Sequence, residues 1–227
     1  MRINVAYWAD EQFTKYVYVS LFSILINMKS EDNLHCYLLT KTPNKYVSLL
    51  KRLEYKFQNF ELDVVSINET NVDQIQTSWE LSYLNSATFY RFFVNLIQWI
   101  DKIIYLDSDI IVNSDISELF QENLDKKIVG VCSDLPGDYI SPHIDELWLK
   151  KKKYFNAWMM VINLNKWKRD QVSERCIKLL RERIYKFNDQ DVLNITLQDD
   201  IKWLPGNYNV LMWYFPEIFG EFIYMIW

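Results

Sequence analysis

Glycine, proline, cysteine and histidine are all scarce in these 227 residues, at 4, 5, 3 and 2 of each. So few Gly and Pro leave no Pro/Gly/Ser-rich linker to divide the chain. One domain over residues 1–227, with a single sizeable core, is expected. The cysteines, Cys36, Cys132 and Cys176, are odd in number and widely spaced, with no Cys-x-x-Cys pair to suggest zinc or thiol exchange. Cys36 and Cys132 lie in apolar, strand-like runs, which predicts buried free thiols and suits a reducing, cytoplasmic setting. Positive charge is short as well. A net charge of −5 and a sequence pI near 5.2 argue against nonspecific nucleic-acid binding, which draws on clustered Lys and Arg. The one basic run, residues 150–153, reads as a solvated loop, with a phosphate or peripheral membrane contact as the alternative. No apolar run approaches the ~18 residues of a transmembrane segment. Residues 1–7 lack the long apolar stretch and small-residue cleavage site of a secretion signal.

What the chain does have is apolar mass. It is 50% hydrophobic and 16% aromatic, well beyond a disordered composition. Residues 3–7, 34–39 and 60–67 read as strands, separated by helical patterns at 16–28 and 45–55. In the first of those helices Val17, Leu21, Ile24, Leu25 and Met28 fall on one face. Strand and helix alternating every 30 residues or so, as βαβ units do, predicts a mixed α/β fold on a mainly parallel sheet. Apolar residues at helical spacing follow over 87–100, then strands over 102–106 and 110–112. A further strand is expected over 128–132, a long loop with at most a short helix over 134–153, a strand over 158–164, and helices over 172–186 and 189–196.

Two aspartates, Asp107 and Asp109, come directly after the apolar run Lys-Ile-Ile-Tyr-Leu. The chain holds 17 Asp, so chance alone supplies about one pair at this spacing. Placement gives the pair its meaning: a strand that ends there delivers both carboxylates to the carboxyl edge of a sheet, where open α/β folds bind ligands. Asp at i and i+2 can turn oxygen ligands toward one hard cation, which in turn can hold a diphosphate.

Five runs can be read together, in order: NVAYWADEQFTKYVYVSLFSIL, ATFYRFF, DKIIYLDSDIIV, YFNAWMMVINLNKW and NDQDVLN. Across nearly the whole chain they resemble the motifs of glycosyltransferase family 8, the family of retaining bacterial galactosyltransferases and glycogenin. The resemblance implies a single nucleotide-diphospho-sugar transferase domain, Rossmann-like at its start, with a mixed, mostly parallel sheet flanked by helices. It implies transfer of a hexose from a UDP-sugar to a hydroxyl acceptor, with retention at the anomeric carbon. By the same resemblance Asp107 and Asp109 hold Mn²⁺ or Mg²⁺, with Ser108 between them in the donor site. Asp10, Gln12 and Phe13 match the loop that binds uridine, although a core aromatic is an equal reading for Phe13. Arg91 matches the arginine on the diphospho-sugar; otherwise a surface ion pair would be its default. Asn156 and Ala157 match the turn lining the sugar pocket. Asp189 and Gln190 match the pair on the donor sugar, and Asp189 also suits a helix N-cap.

The chain departs from the family pattern in three places. It has no His-x-x-Gly-x-x-Lys-Pro-Trp segment to complete a metal site, and its apolar ending, EFIYMIW, reads as a C-terminally incomplete domain. His35 reads as a satisfied core histidine, and His143 is expected to stay away from the site. Trp158 stands where the family commonly has Gly, beside the sugar pocket. Two alternatives stay open on sequence: a degenerate protein that binds a sugar nucleotide or a partner subunit without chemistry, and a haloacid dehalogenase-type phosphatase.

Overall fold

A computed structural model describes residues 1–41, 46–67, 86–134, 141–150 and 152–210. Seven strands form one sheet: β1 (Arg2–Trp8), β2 (Asn33–Thr40), β3 (Phe60–Ser66), β4 (Lys102–Leu106), β5 (Val129–Ser133), β6 (Phe155–Asn163) and β7 (Ile201–Trp203). Their order across the sheet is β3-β2-β1-β4-β6-β5-β7, and β6 runs antiparallel to its neighbours β4 and β5. The expected mixed, mostly parallel sheet is the one observed. No helix among the described residues is long and apolar enough to cross a membrane.

The central strands are apolar on both faces because helices cover both. Ile3, Val5 and Tyr7 of β1, with Ile104 and Leu106 of β4, pack under α1 (Thr14–Asn27), α2 (Val47–Lys56) and α3 (Ser117–Gln121). Ala6, Trp8, Ile103 and Tyr105 face the other way, into a core shared with a 3₁₀ helix (Ser86–Leu96), α5 (Leu164–Arg169), α6 (Val172–Glu182) and α7 (Asn188–Leu197). Strands buried this way read as continuous apolar runs rather than alternating ones. The face of α1 is the one its spacing predicts, with Val17, Leu21, Ile24, Leu25 and Met28 all buried. That helix stops at Met28, which is extended while its N–H still reaches Ile24 O.

Two expectations need correction. The periodic stretch after residue 86 is a 3₁₀ helix kinked at Phe93, ending at Leu96. Phe89 through Val94 are all buried, so this segment has no polar face and winds tightly between the sheet and α6. Residues 110–112 are not a strand. The Val112 N–H donates to Ser23 Oγ and its carbonyl accepts from Asn27, so α1 side chains satisfy the backbone that a neighbouring strand would have used. The described residues of the basic run, Lys150, Lys152 and Lys153, are exposed, with Lys150 and Lys152 paired to Asp199 and Asp145.

This topology sets the position of the site. Connections from β1 lead toward β2 and β3, while β4 begins the other half of the sheet, so the topological switch point, where open sheets of this kind bind ligands, falls between the carboxyl ends of β1 and β4. Being antiparallel, β6 starts at that same edge.

Candidate active site

Arg91 is the organising residue of that edge. It is 4% exposed, and three chain segments meet on its guanidinium. Nη2 lies 3.0 Å from Asp107 Oδ1, Nη1 donates to Ala157 O at 3.1 Å, and Nε lies 3.0 Å from Asp189 Oδ2. The Nε contact is a charge pair whose N–H is not aligned as a hydrogen bond. Burial alone would lower the Arg91 pKa, but Asp107 and Asp189 outweigh it and raise it, so the cation persists. The 3₁₀ helix matters here: wound into the core, it carries Arg91 inward instead of presenting it to solvent.

Asp107 follows the last residue of β4, and its N–H donates to Trp158 O at 2.8 Å, continuing the β4–β6 ladder. Its Oδ1 also accepts from the buried Tyr105 hydroxyl at 2.8 Å. Burial pushes the Asp107 carboxyl up to about 6, Arg91 opposing and the Asp109 charge adding to the rise. A bound cation would invert that balance. Ser108 is buried and Asp109 exposed, so the second carboxylate of the pair faces outward. Two adjacent carboxylates offer only oxygen, the donor that Mg²⁺ and Mn²⁺ favour, and in this respect they fit such an ion. Among the described residues, no group of three His, Cys, Asp or Glu could hold a metal.

The start of β6 is irregular. Val131 pairs with Met160 and Ser133 with Phe155, so residues 156–159 bulge out of the β5–β6 ladder. Asn156 Oδ1 shapes the bulge by accepting from the Trp158 N–H at 3.0 Å and from Asn209 Nδ2 at 2.9 Å. The Ala157 peptide thereby lies between two site residues, its carbonyl on Arg91 and its N–H on Gln190 Oε1 at 2.9 Å. Trp158 is half-buried beside Asp107.

Asp189 and Gln190 occupy the first turn of α7. Burial raises the Asp189 carboxyl above the ordinary range, and Arg91 counteracts this. Gln190 Nε2 donates to Asp134 Oδ2 at 2.8 Å, so the amide is fixed at both ends. One turn on, Asn194 clamps the Phe155 peptide, accepting from its N–H at 2.8 Å and donating to its carbonyl at 3.0 Å. Asn194→Ala would strand both buried backbone groups and is expected to cost about 2–3 kcal/mol, readable as a lowered urea midpoint at unchanged slope.

The loop after β1 is the third component. Asp10 Oδ1 accepts from the Gln12 and Phe13 N–H groups at 2.8 and 2.9 Å, a local turn that leads into α1. Gln12 is exposed and Phe13 half-buried, its ring 5.9 Å from that of Trp8. Trp8 is itself 6.0 Å from the Arg91 guanidinium, which connects this loop to the charged cluster.

Sequence reasoning missed Asp134, Asn194, Tyr105 and Asp191 as members of the site's surroundings. Asn194 was findable, since residues 190 and 194 share a helix face. Asp134 was not, because its link to Gln190 spans 56 residues. His35 is a satisfied core histidine as expected, 2.8 Å from Asp63 and stacked on Tyr37. His143 keeps away from the aspartate pair, as expected, and has a buried place of its own. It is buried in α4 (Ser141–Glu146) and lies 2.7 Å from Asp191, the neighbour of Gln190, although not on either Asp107 or Asp109. The three cysteines are free and buried, and burial pushes the Cys132 and Cys176 thiols to about 11 and 12.

With this geometry in place, comparison with known proteins is direct. The family model for glycosyl transferase family 8 matches residues 4–222. A putative glycosyltransferase of Haemophilus influenzae is 27% identical over 215 residues, covering 91% of this chain and 63% of that protein. A lipopolysaccharide 1,2-glucosyltransferase of Escherichia coli is 26% identical, covering 92% of this chain and 62% of its own length. The chain therefore spans somewhat under two thirds of these relatives. The galactosyltransferase LgtC, solved with donor and acceptor sugar analogues, superposes with a TM-score of 0.76 at 19% identity, over 90% of this chain and 74% of that one. The match sets aside the phosphatase alternative. This chain belongs to glycosyltransferase family 8.

Proposed function

We propose that the chain is a retaining hexosyltransferase that moves a hexose from a UDP-sugar to a hydroxyl acceptor on a glycan, lipooligosaccharide or glycoprotein. The observation that carries this reading is the buried Arg91, whose single guanidinium joins Asp107 at the end of β4 to Asp189 at the start of α7. A site that expels a nucleoside diphosphate needs fixed positive charge next to a cation grip, and Arg91 beside the two aspartates supports that role. The relative named for lipopolysaccharide glucosyl transfer supports the same reaction class. The three buried free thiols of this chain favour a cytoplasmic location.

Asp107 and Asp109 would hold Mn²⁺ or Mg²⁺, which when bound supplies charge neutralisation for the leaving diphosphate. Asp10 and Gln12 would hydrogen-bond the uracil while Phe13 stacks on it. Asp189 would take hydroxyls of the donor sugar, kept in place by Arg91, and Asn156 and Ala157 would line the same pocket with Ser108 at its floor. Gln190 would sit on the sugar face opposite the leaving group. An amide is a weak nucleophile, and this one is already engaged at both ends, by Ala157 and Asp134. That supports same-face attack, in which the acceptor hydroxyl gives its proton to the departing phosphate oxygen and configuration is retained.

Titration with UDP in the presence and absence of Mn²⁺, followed by a panel of UDP-hexose donors on the same sample, tests the reading. Mn²⁺ is expected to tighten UDP binding by about tenfold or more, as a shared cation does. UDP binding indifferent to the metal overturns the role given to Asp107 and Asp109. Metal-dependent UDP binding without turnover of any donor identifies the degenerate, sugar-nucleotide-binding alternative.

A further inference from the structure

Next to Gln190 in the chain lies the centre of a second, buried polar cluster. Asp191 is 0% exposed and accepts three hydrogen bonds: from His143 Nε2 at 2.7 Å and the Tyr154 hydroxyl at 2.6 Å, both on Oδ1, and from the Phe187 N–H at 2.9 Å on Oδ2. A carboxylate is an acceptor only, so His143 Nε2 carries a proton and is the donor in its bond to Asp191. Nδ1 faces Glu146 at 3.4 Å. The imidazole is wedged edge-on between aromatic rings, 5.0 Å from Phe187 and 6.1 Å from Tyr154. Burial first, and the Asp191 charge second, raise the Tyr154 pKa far above its ordinary value, so its hydroxyl keeps its proton and stays a donor.

These contacts gather three segments onto one carboxylate: α4, the residue that precedes β6, and the first turn of α7. That turn carries Asp189 and Gln190, and it opens on Asn188 at φ 36°, a conformation that costs a non-glycine residue energy and needs outside support. The bond from the Phe187 N–H back to the Asp191 carboxylate is part of that support, since it satisfies one of the donors a helix start leaves over. Asp191 can make it only while other donors hold the carboxylate in place.

We propose that His143 is a positioning residue for the transferase site: with Tyr154 it fixes Asp191, and through Asp191 the first turn of α7 and the Gln190 amide. The proposal rests on the reading of Gln190 as a group that lines the donor sugar. It also states what Asp191 does, which is to hold structure rather than to touch substrate.

The test uses the whole chain with His143→Ala, His143→Gln and Tyr154→Phe, and two independent readings. One is kcat and donor KM with UDP-glucose and UDP-galactose; the other is backbone amide exchange across residues 187–191 by mass spectrometry. His143→Ala is expected to lower kcat by about 10- to 100-fold while donor KM stays within about threefold, the mark of misplacement rather than lost ground-state binding. Exchange at 187–191 should rise in the same variant. His143→Gln keeps an N–H donor at a similar reach and should restore kcat to within about fivefold and exchange to the parent pattern. A folded His143→Ala protein with parental kcat and parental exchange overturns the proposal. So does a folded His143→Gln protein as impaired as the alanine variant. Should His143→Ala fail to fold, Tyr154→Phe removes a different donor from the same oxygen, and unchanged exchange there overturns the proposal equally. If the parent protein turns over no donor, exchange still reads the positioning role, and only the function given to Gln190 falls.

Discussion

Arg91→Ala is expected to destroy transfer and to weaken the fold in one step. The substitution leaves the Asp107 and Asp189 carboxylates facing each other's field with no cation between them, and the Ala157 carbonyl without its donor. Breaking a buried ion pair from one side typically costs 3–5 kcal/mol, because the surviving charge has already lost its water. About 3–5 kcal/mol is therefore the expected loss, measured as a fall in the urea midpoint. Turnover should drop by about 10² or more even in the fraction that stays folded, because a fixed positive group in a transition state commonly contributes that much. Arg91→Lys separates the two effects. An ammonium is a point charge and cannot bridge Asp107, Asp189 and Ala157 as a planar fork does, so part of the stability should return without the activity. A folded Arg91→Ala protein that retains turnover within tenfold of the parent would refute the central place given to this residue.

Asp109→Ala is expected to behave in the opposite manner. Its carboxylate is exposed, so the fold should lose no more than about 0.5 kcal/mol, as for most surface substitutions. Turnover should nevertheless fall by on the order of 10², and the Mn²⁺ enhancement of UDP binding should disappear. Both quantities are accessible on one sample, by denaturation and by calorimetric titration. Near-parental, metal-dependent turnover by this variant would remove the aspartate pair from the mechanism. Together the variants ask whether stability and activity separate along the pair, with Asp107 buried against Arg91 and Asp109 turned outward.

Much of this could be read from the residues in order, for a physical reason. The strand ending at Leu106 and the face of α1 follow from local patterns, since apolar periodicity acts over a few residues. Asp189 suits an N-cap by residue type but lies inside the first turn of α7, whose cap residue is Phe187 with no side-chain cap bond. The 3₁₀ helix misled because residues 89–94 are all buried, and helical spacing of apolar positions does not distinguish one winding from another. Short elements such as α3, α5 and β7 carry too few residues to show a period. The supports of the site were out of reach for a different reason. Asp134 meets Gln190 across 56 residues, and His143 meets Asp191 across 48, so only the folded sheet brings them together. The motifs thus announced the residues that gather around Arg91 and were silent about the groups that hold them.

The segment from Asp134 to Tyr154 has a consequence for how such a protein can diverge. Its two ends are fastened to adjacent residues of one helix, Asp134 to Gln190 and Tyr154 to Asp191. A stretch fastened to α7 at both ends, and at His143 between them, can change length or sequence elsewhere along its course while the residues of the site keep their places, and each doubling of such a loop costs only about 0.6 kcal/mol in closure entropy. Under the proposed transferase reading, exchange of this stretch between relatives with His143 retained would be a route by which one scaffold acquires a new acceptor.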